Sequence, residues 1–374
     1  MSVTLNDVHS QLNATRVVQV HRPCSLDELI QVIQSARRSG MKISQSGGKH
    51  AMGGQQFFRD SWHIDTCALD RVLHCDAEKG LLQIEAGAHW PAIIEASHTM
   101  TCANGALWSI RQKQTGVDAV SLAGSISANA HGRGLLQQPL GNDVENLTIV
   151  NADGEVVFCS REHNAELFSL VIGGYGMFGV IYAATLRLMP RQCMKRIVEV
   201  IDLDDAMDAV FRRTAEGCTY GDFQFVIDPN DRGFLHRGVF ACYQPSDDAK
   251  EIITQSDLTP DHWLELLRLA HEDKTRAFRL YAEHYMSTHG NHYWSDTMQL
   301  STYLPSYAEF LESKRDAAEI TNAKESLIIG EHYVPRENLL GFMSAARLIL
   351  QQHGTEVIYG TIRAIFRDTE SFLP

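Results

Sequence analysis

Long apolar runs are missing from this sequence of 374 residues, and none approaches the length of a membrane span. Met1 to Thr15 lacks a basic start followed by an apolar stretch, so no secretory signal is read there. The eight cysteines (Cys24, Cys67, Cys75, Cys102, Cys159, Cys193, Cys218 and Cys242) show no Cys-x-x-Cys spacing. A chain of this size does not need disulfide staples, so reduced buried thiols and a cytoplasmic location are expected. A basic surface is missing as well. The net charge of −13 argues against a nucleic-acid partner and an anionic membrane surface. The 17 histidines make that charge pH-dependent. No His-x-x-x-His or His–carboxylate spacing supports a metal site, so none is expected.

What is present describes a globular protein with a sizeable core: 44% apolar and 21% charged residues, with room for about two domains. Val17 to Val20 reads as a short strand. Ser25-x-x-Glu28 forms a capping box ahead of a helix with Leu26, Leu29, Ile30, Ile33 and Ala36 on one face. Gly40 stops the helix, and Met41 to Gln45 returns as a strand. Gly80 to Ala86 is strand-like, and Trp90 to Met100 a helix with Pro91 in its first turn. Asn151-Ala-Asp-Gly154 between two β-rich runs signals a hairpin. Glu162 to Val171 then reads as a helix and Val180 to Leu188 as a strand. Beyond Pro190 the glycine loops cease, and longer helices are expected at Asp261 to Met286 and Pro305 to Ile320. A domain boundary is placed near residue 191.

Two glycine-rich segments carry the chemistry: Ser46-Gly-Gly-Lys-His-Ala-Met-Gly-Gly54 and Ser121-Leu-Ala-Gly-Ser-Ile-Ser-Ala-Asn-Ala-His-Gly132. Glycine lets backbone N–H groups close on a phosphate, and two such loops suit a large phosphorylated cofactor. A P-loop is excluded, because Ile43 replaces the required earlier glycine and His50 the metal-binding hydroxyl. Gly174-x-Gly176-x-x-Gly179 matches the dinucleotide fingerprint as a string. Its context is reversed, with a helix before and a strand after, so it reads as a turn feeding a strand. Ser125 to Asn129 alternates like a strand that His131 closes. Alone, His50 and His131 each read as ordinary hydrogen-bonding histidines.

Taken in order, four blocks resemble the FAD-linked oxidases of the vanillyl-alcohol oxidase (PCMH) type. They are Ser46 to His50, Gly116 to Gly132, Asn151 to Gly154, and Gly173 to Gly179. The resemblance covers about residues 17 to 190 and is nearest to the alditol/aldonolactone oxidase and cytokinin dehydrogenase branches. It implies an α+β fold, with a two-subdomain FAD-binding domain over residues 1–190 and an α+β substrate (cap) domain over 191–374. By the same resemblance Ser46, Gly47, Gly48, Lys49, His50 and Ala51 wrap the FAD pyrophosphate or ring edge. Thr115, Gly116, Ser121, Gly124, Ser125, Ser127, Asn129, Gly132 and Gly174 also contact the cofactor, with Gly179 and Ile181 near its adenine end. His50 matches the histidine that relatives bond to the flavin, although Lys49 departs from the small residue or arginine before it.

In the cap, Glu331-His-Tyr-Val-Pro-Arg336 resembles a strand motif of the aldonolactone and alditol oxidases. Gly360 to Ile365 resembles their Glu-x-Arg strand, with Thr361 in place of the glutamate and Arg363 as the arginine facing flavin and substrate. Tyr359, Thr361 and Arg363 share one face if Glu356 to Ile365 is extended. Catalytic roles fall to Arg363, as charge partner of reduced flavin, and to His131, as a polar contact beside it. The sequence stops at Pro374 where relatives continue, so a C-terminally truncated cap is expected, with the proton acceptor unidentified.

The function implied is FAD-dependent oxidation of a C–OH group on a polyol, sugar or sugar lactone, with oxygen or another molecule as electron acceptor. Two alternatives stand beside it. A catalytically silent flavin-binding protein would be yellow but never bleached by alcohols. An NADPH-dependent reductase on the same fold would be bleached by NADPH alone.

Overall fold

In the computed structural model the described residues are 2–248, 252–253, 258–301 and 326–372. After a short antiparallel pair, Val3–Leu5 with Thr15–Val17, comes a small parallel sheet. Strands β1 (Gln19–His21), β2 (Ile43–Ser46) and β3 (Trp62–Asp65) lie in the order β1-β3-β2. Parallel strands need a crossover, and helix α1 (Leu26–Arg38) carries the chain from β1 to β2, the two strands flanking β3. The Ser25 hydroxyl accepts from the Glu28 N–H at 3.2 Å. The Glu28 carboxylate reaches back to the Cys24 N–H at 2.9 Å, one residue short of a capping box. Leu29, Ile33 and Ala36 are the fully buried part of the expected apolar face. The strand expected at Val17 to Val20 is split at Val18, because Thr15–Val17 pairs with Val3–Leu5 while β1 pairs with β3.

The second sheet is antiparallel, in the order β7-β6-β8-β5-β4. Its strands are β4 (Val72–Asp76), β5 (Leu81–Glu85), β6 (Val144–Val150), β7 (Val156–Ser160) and β8 (Val180–Arg187). The Asn151 to Gly154 turn joins β6 to β7 with Val156 opposite Val150. Helices α2 (Trp90–Ser97), α3 (Leu122–Ser127) and α4 (Ala165–Val171) cover it. One core holds Leu82, Ile84, Trp90, Ile93, Leu122, Ile126, Leu147 and Ile181.

Helix α3 corrects the strand expected at Ser125 to Asn129. Ser121 caps it, its hydroxyl accepting from the Gly124 N–H at 3.1 Å. Leu122 and Ile126 are both fully buried, and their four-residue spacing is helical. The alternation around Ile126 was only the flank of that spacing.

The third sheet, in the order β12-β13-β9-β11-β10-β14, begins after Pro190. It comprises β9 (Cys193–Asp202), β10 (Tyr220–Phe225), β11 (Arg237–Pro245), β12 (Ile252–Ile253), β13 (His292–Trp294) and β14 (Thr361–Ile362). Helices α5 (Leu203–Ala215) and α8 (Leu339–Gln352) pack on the side of Phe223, Phe240 and Cys242. Helices α6 (Pro260–Glu272) and α7 (Lys274–Ser287) pack on the side of Val198, Val239 and Ala241.

Three expectations change here. Asp261 to Met286 is not one helix: Asp273 (φ −150°, ψ 78°) ends α6 and caps α7, its carboxylate accepting from the Arg276 N–H at 3.0 Å. No strand forms over residues 326–335, where Pro335 leads into a 3₁₀ turn at Arg336–Asn338. Proline has no N–H for a sheet ladder. Of Glu356 to Ile365, only Thr361–Ile362 pairs as a strand, against Phe223 and Gln224. The helix expected at Pro305 to Ile320 lies outside the described residues.

All eight cysteines are free, but only Cys102, Cys159, Cys218 and Cys242 are buried, while Cys24 and Cys75 are exposed. Among the described residues no helix is long and apolar enough to cross a membrane.

Candidate functional site

The two glycine loops meet. A Cβ built on Gly47 would lie 2.0 Å from the Ser121 hydroxyl, and one on Gly48 would lie 2.4 Å from the Ala119 carbonyl. Any side chain at either position would push the loops apart. The end of β2 is thereby seated against the start of α3, and the groove opens into a cavity of about 2640 Å³.

Beneath the first loop, the His63 ring bridges two serines, with Nδ1 2.9 Å from the Ser44 hydroxyl and Nε2 2.8 Å from that of Ser46. Burial, with the Lys49 cation nearby, pushes His63 down to about 4. Lys49 itself is left-handed at φ 58°, and its ammonium lies 3.3 Å from the Asp65 carboxylate. His50 contacts His9, Nδ1 to Nε2, at 2.8 Å. Burial and the neighbouring His9 push His50 to about 4, so its ring is neutral near pH 7.

The segment before the second loop is held from the third sheet. The Gly116 N–H donates to the Ser301 hydroxyl at 2.9 Å, and the Ser301 N–H donates to Asp118 at 3.0 Å. Lys113, with no exposed side-chain surface, pairs with Asp118 at 2.6 Å and donates to the Gln114 and Val117 carbonyls. Burial lowers its pKa, with the Asp118 charge opposing. On the far side Gln45 donates to the Gly176 and Gly179 carbonyls, both at 3.0 Å. The Gly174 to Gly179 turn is thus pinned beside the first loop, and Tyr175 and Gly176 reach the cavity.

Ser46, Gly47, Gly48, Lys49, His50, Ala51, Thr115, Gly116, Ser121, Gly124, Ser127, His131 and Arg363 all line this one cavity. Six expected site residues do not. Ser125 is fully buried, its hydroxyl 3.2 Å from the Trp90 indole N–H. Asn129 accepts from the Gly141 N–H and donates to Asp368 at 2.6 Å. Gly132 packs against the Lys113 carbonyl, Gly174 against that of Leu170, and Gly179 against that of Val150. Ile181 is 2% exposed and pairs with Ile149. These positions shape the scaffold rather than the wall.

His9, Gln45, Asp118, Arg133, Glu331 and Tyr359 line the cavity too and were not foreseen. His9 carried no signal, since only the fold brings it to His50. Glu331 stood in a quoted motif that suggested a strand rather than a site.

The residues present fit an extended, phosphate-bearing cofactor. A Cβ on Gly116 (φ +90°) would meet nothing within 4 Å, so this wall is bare backbone. The Thr115 hydroxyl is buried there without a partner, as is the Nε of Arg363, another residue of the cavity wall. Residues 18–160 match the family described as FAD binding domain. Residues 18–160 thus form an FAD-binding domain. The D-arabinono-1,4-lactone oxidase of Kluyveromyces lactis is 29% identical over 191 residues, 50% of this chain and 35% of that protein. The mouse L-gulonolactone oxidase is 29% identical over 171 residues, 46% of this chain and 37% of its own length. The mitochondrial L-galactono-1,4-lactone dehydrogenase 1 of rice is 28% identical over 198 residues, 51% and 31% of the two chains. This FAD-binding chain therefore spans about a third of the length of these relatives. Cholesterol oxidase from B. sterolicum shares the fold, with TM-score 0.63 and 14% identity over 81% of this chain and 62% of that one.

Proposed function

We propose that the protein is an FAD-dependent oxidoreductase that oxidises a C–OH group of a small hydroxylated molecule, an aldonolactone, sugar or polyol. Residues 1–190 hold the cofactor and residues 191–374 the substrate, and oxygen is the electron acceptor. The observation that carries this reading is a cavity lined by both glycine loops and by Arg363, the residue after β14. FAD, when bound, supplies the two-electron redox chemistry. The chain's part is to hold, orient and compensate charge. Glycine at 47 and 48 lets the two loops close on each other at the cavity wall, where backbone N–H groups can meet phosphate oxygens closely. The Arg363 guanidinium places a fixed positive charge in the cavity wall, favouring negative charge that grows during reduction. The names of the relatives support lactones as the first compounds to try. The eight free cysteines support a reducing, cytoplasmic location.

His50 is the proposed covalent tether, because a neutral imidazole keeps a lone pair for attack on the flavin methyl position. The test of the whole reading is anaerobic mixing of the yellow holoprotein with aldonolactones, sugars and polyols. Bleaching by one of them, and peroxide on readmitting air, is expected. A protein that neither holds FAD nor bleaches rejects it.

A further inference from the structure

We propose that Glu331 is the proton acceptor of this site and that His131 positions it and shares the proton. The proposal rests on the oxidoreductase reading above. His131 comes from the second glycine segment, and Glu331 from the stretch leading into α8. Their side chains meet with Nε2 2.6 Å from Oε1. The His131 Nδ1 lies 3.0 Å from the Gly132 carbonyl oxygen. A carbonyl oxygen only accepts, so Nδ1 carries the proton, and in the neutral ring Nε2 is the bare nitrogen. A contact of 2.6 Å between Nε2 and the carboxylate oxygen needs a proton between them, so the geometry is that of a pair that has taken one up, and the position for the accepted proton is already formed.

The surroundings select Glu331 over the other carboxylates of the cavity wall. Asp118 is tied to Lys113, Asp222 faces Arg133 at 3.8 Å, Glu356 faces Lys274 at 3.8 Å, and Asp368 is held by Asn129 and Ser371. Glu331 alone among these is joined to a histidine. Its side chain is 57% exposed and lines the cavity, whereas His131 behind it is 11% exposed. A substrate hydroxyl therefore reaches the carboxylate first. Thr361, on β14, brings no carboxyl group, so the acid–base group comes from a different segment.

The step balances. The substrate O–H bond breaks, its proton goes to Glu331, and its electron pair forms the new C=O bond. The hydrogen and electron pair of the adjacent C–H bond would leave as hydride, with FAD, when bound, as the oxidant. The charged and titratable groups facing Glu331 are His131, the Arg363 cation and the Tyr333 phenol. The His131 hydrogen bond holds the Glu331 carboxyl below its ordinary range, burial opposing it and Arg363 assisting.

Glu331→Gln keeps the shape but cannot take a proton. Stopped-flow reduction of its FAD-loaded form by the best substrate should be slower by roughly a hundredfold or more. FAD content, thermal midpoint and binding of the ketone product, followed by flavin absorbance, should stay unchanged. The acid limb of the wild-type reduction profile should vanish. In ¹⁵N-histidine spectra of the holoprotein the His131 Nε2 resonance should move in Glu331→Gln. A reduction rate within threefold of wild type, an intact acid limb, or an unmoved His131 resonance overturns the proposal. If Glu331→Gln loses FAD, then His131→Asn must slow reduction at full FAD content, or the proposal is likewise overturned. Wild-type protein that no hydroxylated compound reduces rejects the oxidoreductase reading and the acceptor role together. Wild type reduced with Glu331→Gln equally fast removes only the acceptor.

Discussion

Arg191 and Asp296 are joined by two parallel contacts, Nε to Oδ2 at 2.8 Å and Nη2 to Oδ1 at 3.1 Å. The carboxylate has no exposed side-chain surface, and His98 and Ser109 also reach it, each at 2.7 Å. This knot ties the second sheet's helix layer to the segment 295–301 that holds Gly116. Removing one partner of a buried pair leaves the other charge stranded. Asp296→Ala should therefore lower stability by about 3–5 kcal/mol, read from urea unfolding. A loss under 1 kcal/mol would mean that solvent reaches the pair.

His50→Ala tests the tether. Colour should stay with acid-precipitated wild-type protein and appear in the supernatant of the variant. Full release of FAD from wild type makes His50 a non-covalent contact.

Arg363→Ala should slow flavin reduction roughly ten- to a thousandfold at near-normal FAD content. Arg363→Lys should recover only part, because a point charge does not copy a planar fork. Stopped-flow reduction decides, and an unchanged rate in Arg363→Ala removes it from the site.

Two buried groups give pH dependences of opposite sign. Burial lowers His63 to about 4, so its contribution is present above the unfolded value and lost as pH falls from about 6.5 to 4, about 3 kcal/mol in all. Burial raises Asp143 to about 6. Gln112 donates to it at 3.0 Å, but the Arg111 guanidinium at 3.2 Å is not aligned to hydrogen-bond. Its contribution is present below the unfolded value and lost as pH rises through about 6, again about 3 kcal/mol. Relative to wild type, His63→Gln should flatten the acid loss. Asp143→Asn should gain most above pH 6. Unfolding midpoints at pH 4.5 and 7.5 measure both, and parallel shifts at the two pH values would contradict the assignment.

Local pattern carried much of the fold. The helix at Leu26–Arg38, the Asn151 to Gly154 hairpin and the strand at Val180–Arg187 all follow from short-range chemistry. The glycine loops were legible because close approach demands glycine at Gly47 and Gly48 whatever surrounds them. What escaped was decided at long range. Ser125 and Ile181 sit inside cofactor-like blocks, yet packing against Trp90 and Ile149 turns them inward. The buried Lys113–Asp118 pair and the His9–His50 contact depend on neighbours that no local spacing announces. The break at Asp273 was hidden because apolar periodicity continues on both sides of it.

The contact between Gly47 and Ser121 has a thermodynamic consequence. It lies where the parallel sheet abuts the antiparallel one, so the cofactor groove is also the seam between two independently hydrogen-bonded layers. A ligand that spans the seam binds the closed arrangement and not the parted one. Its free energy adds to cohesion by mass action, reaching about 2.7 kcal/mol when ligand stands at a hundred times its dissociation constant. Occupancy and folding are in this way a single equilibrium, and a cell short of FAD would hold less of the folded protein.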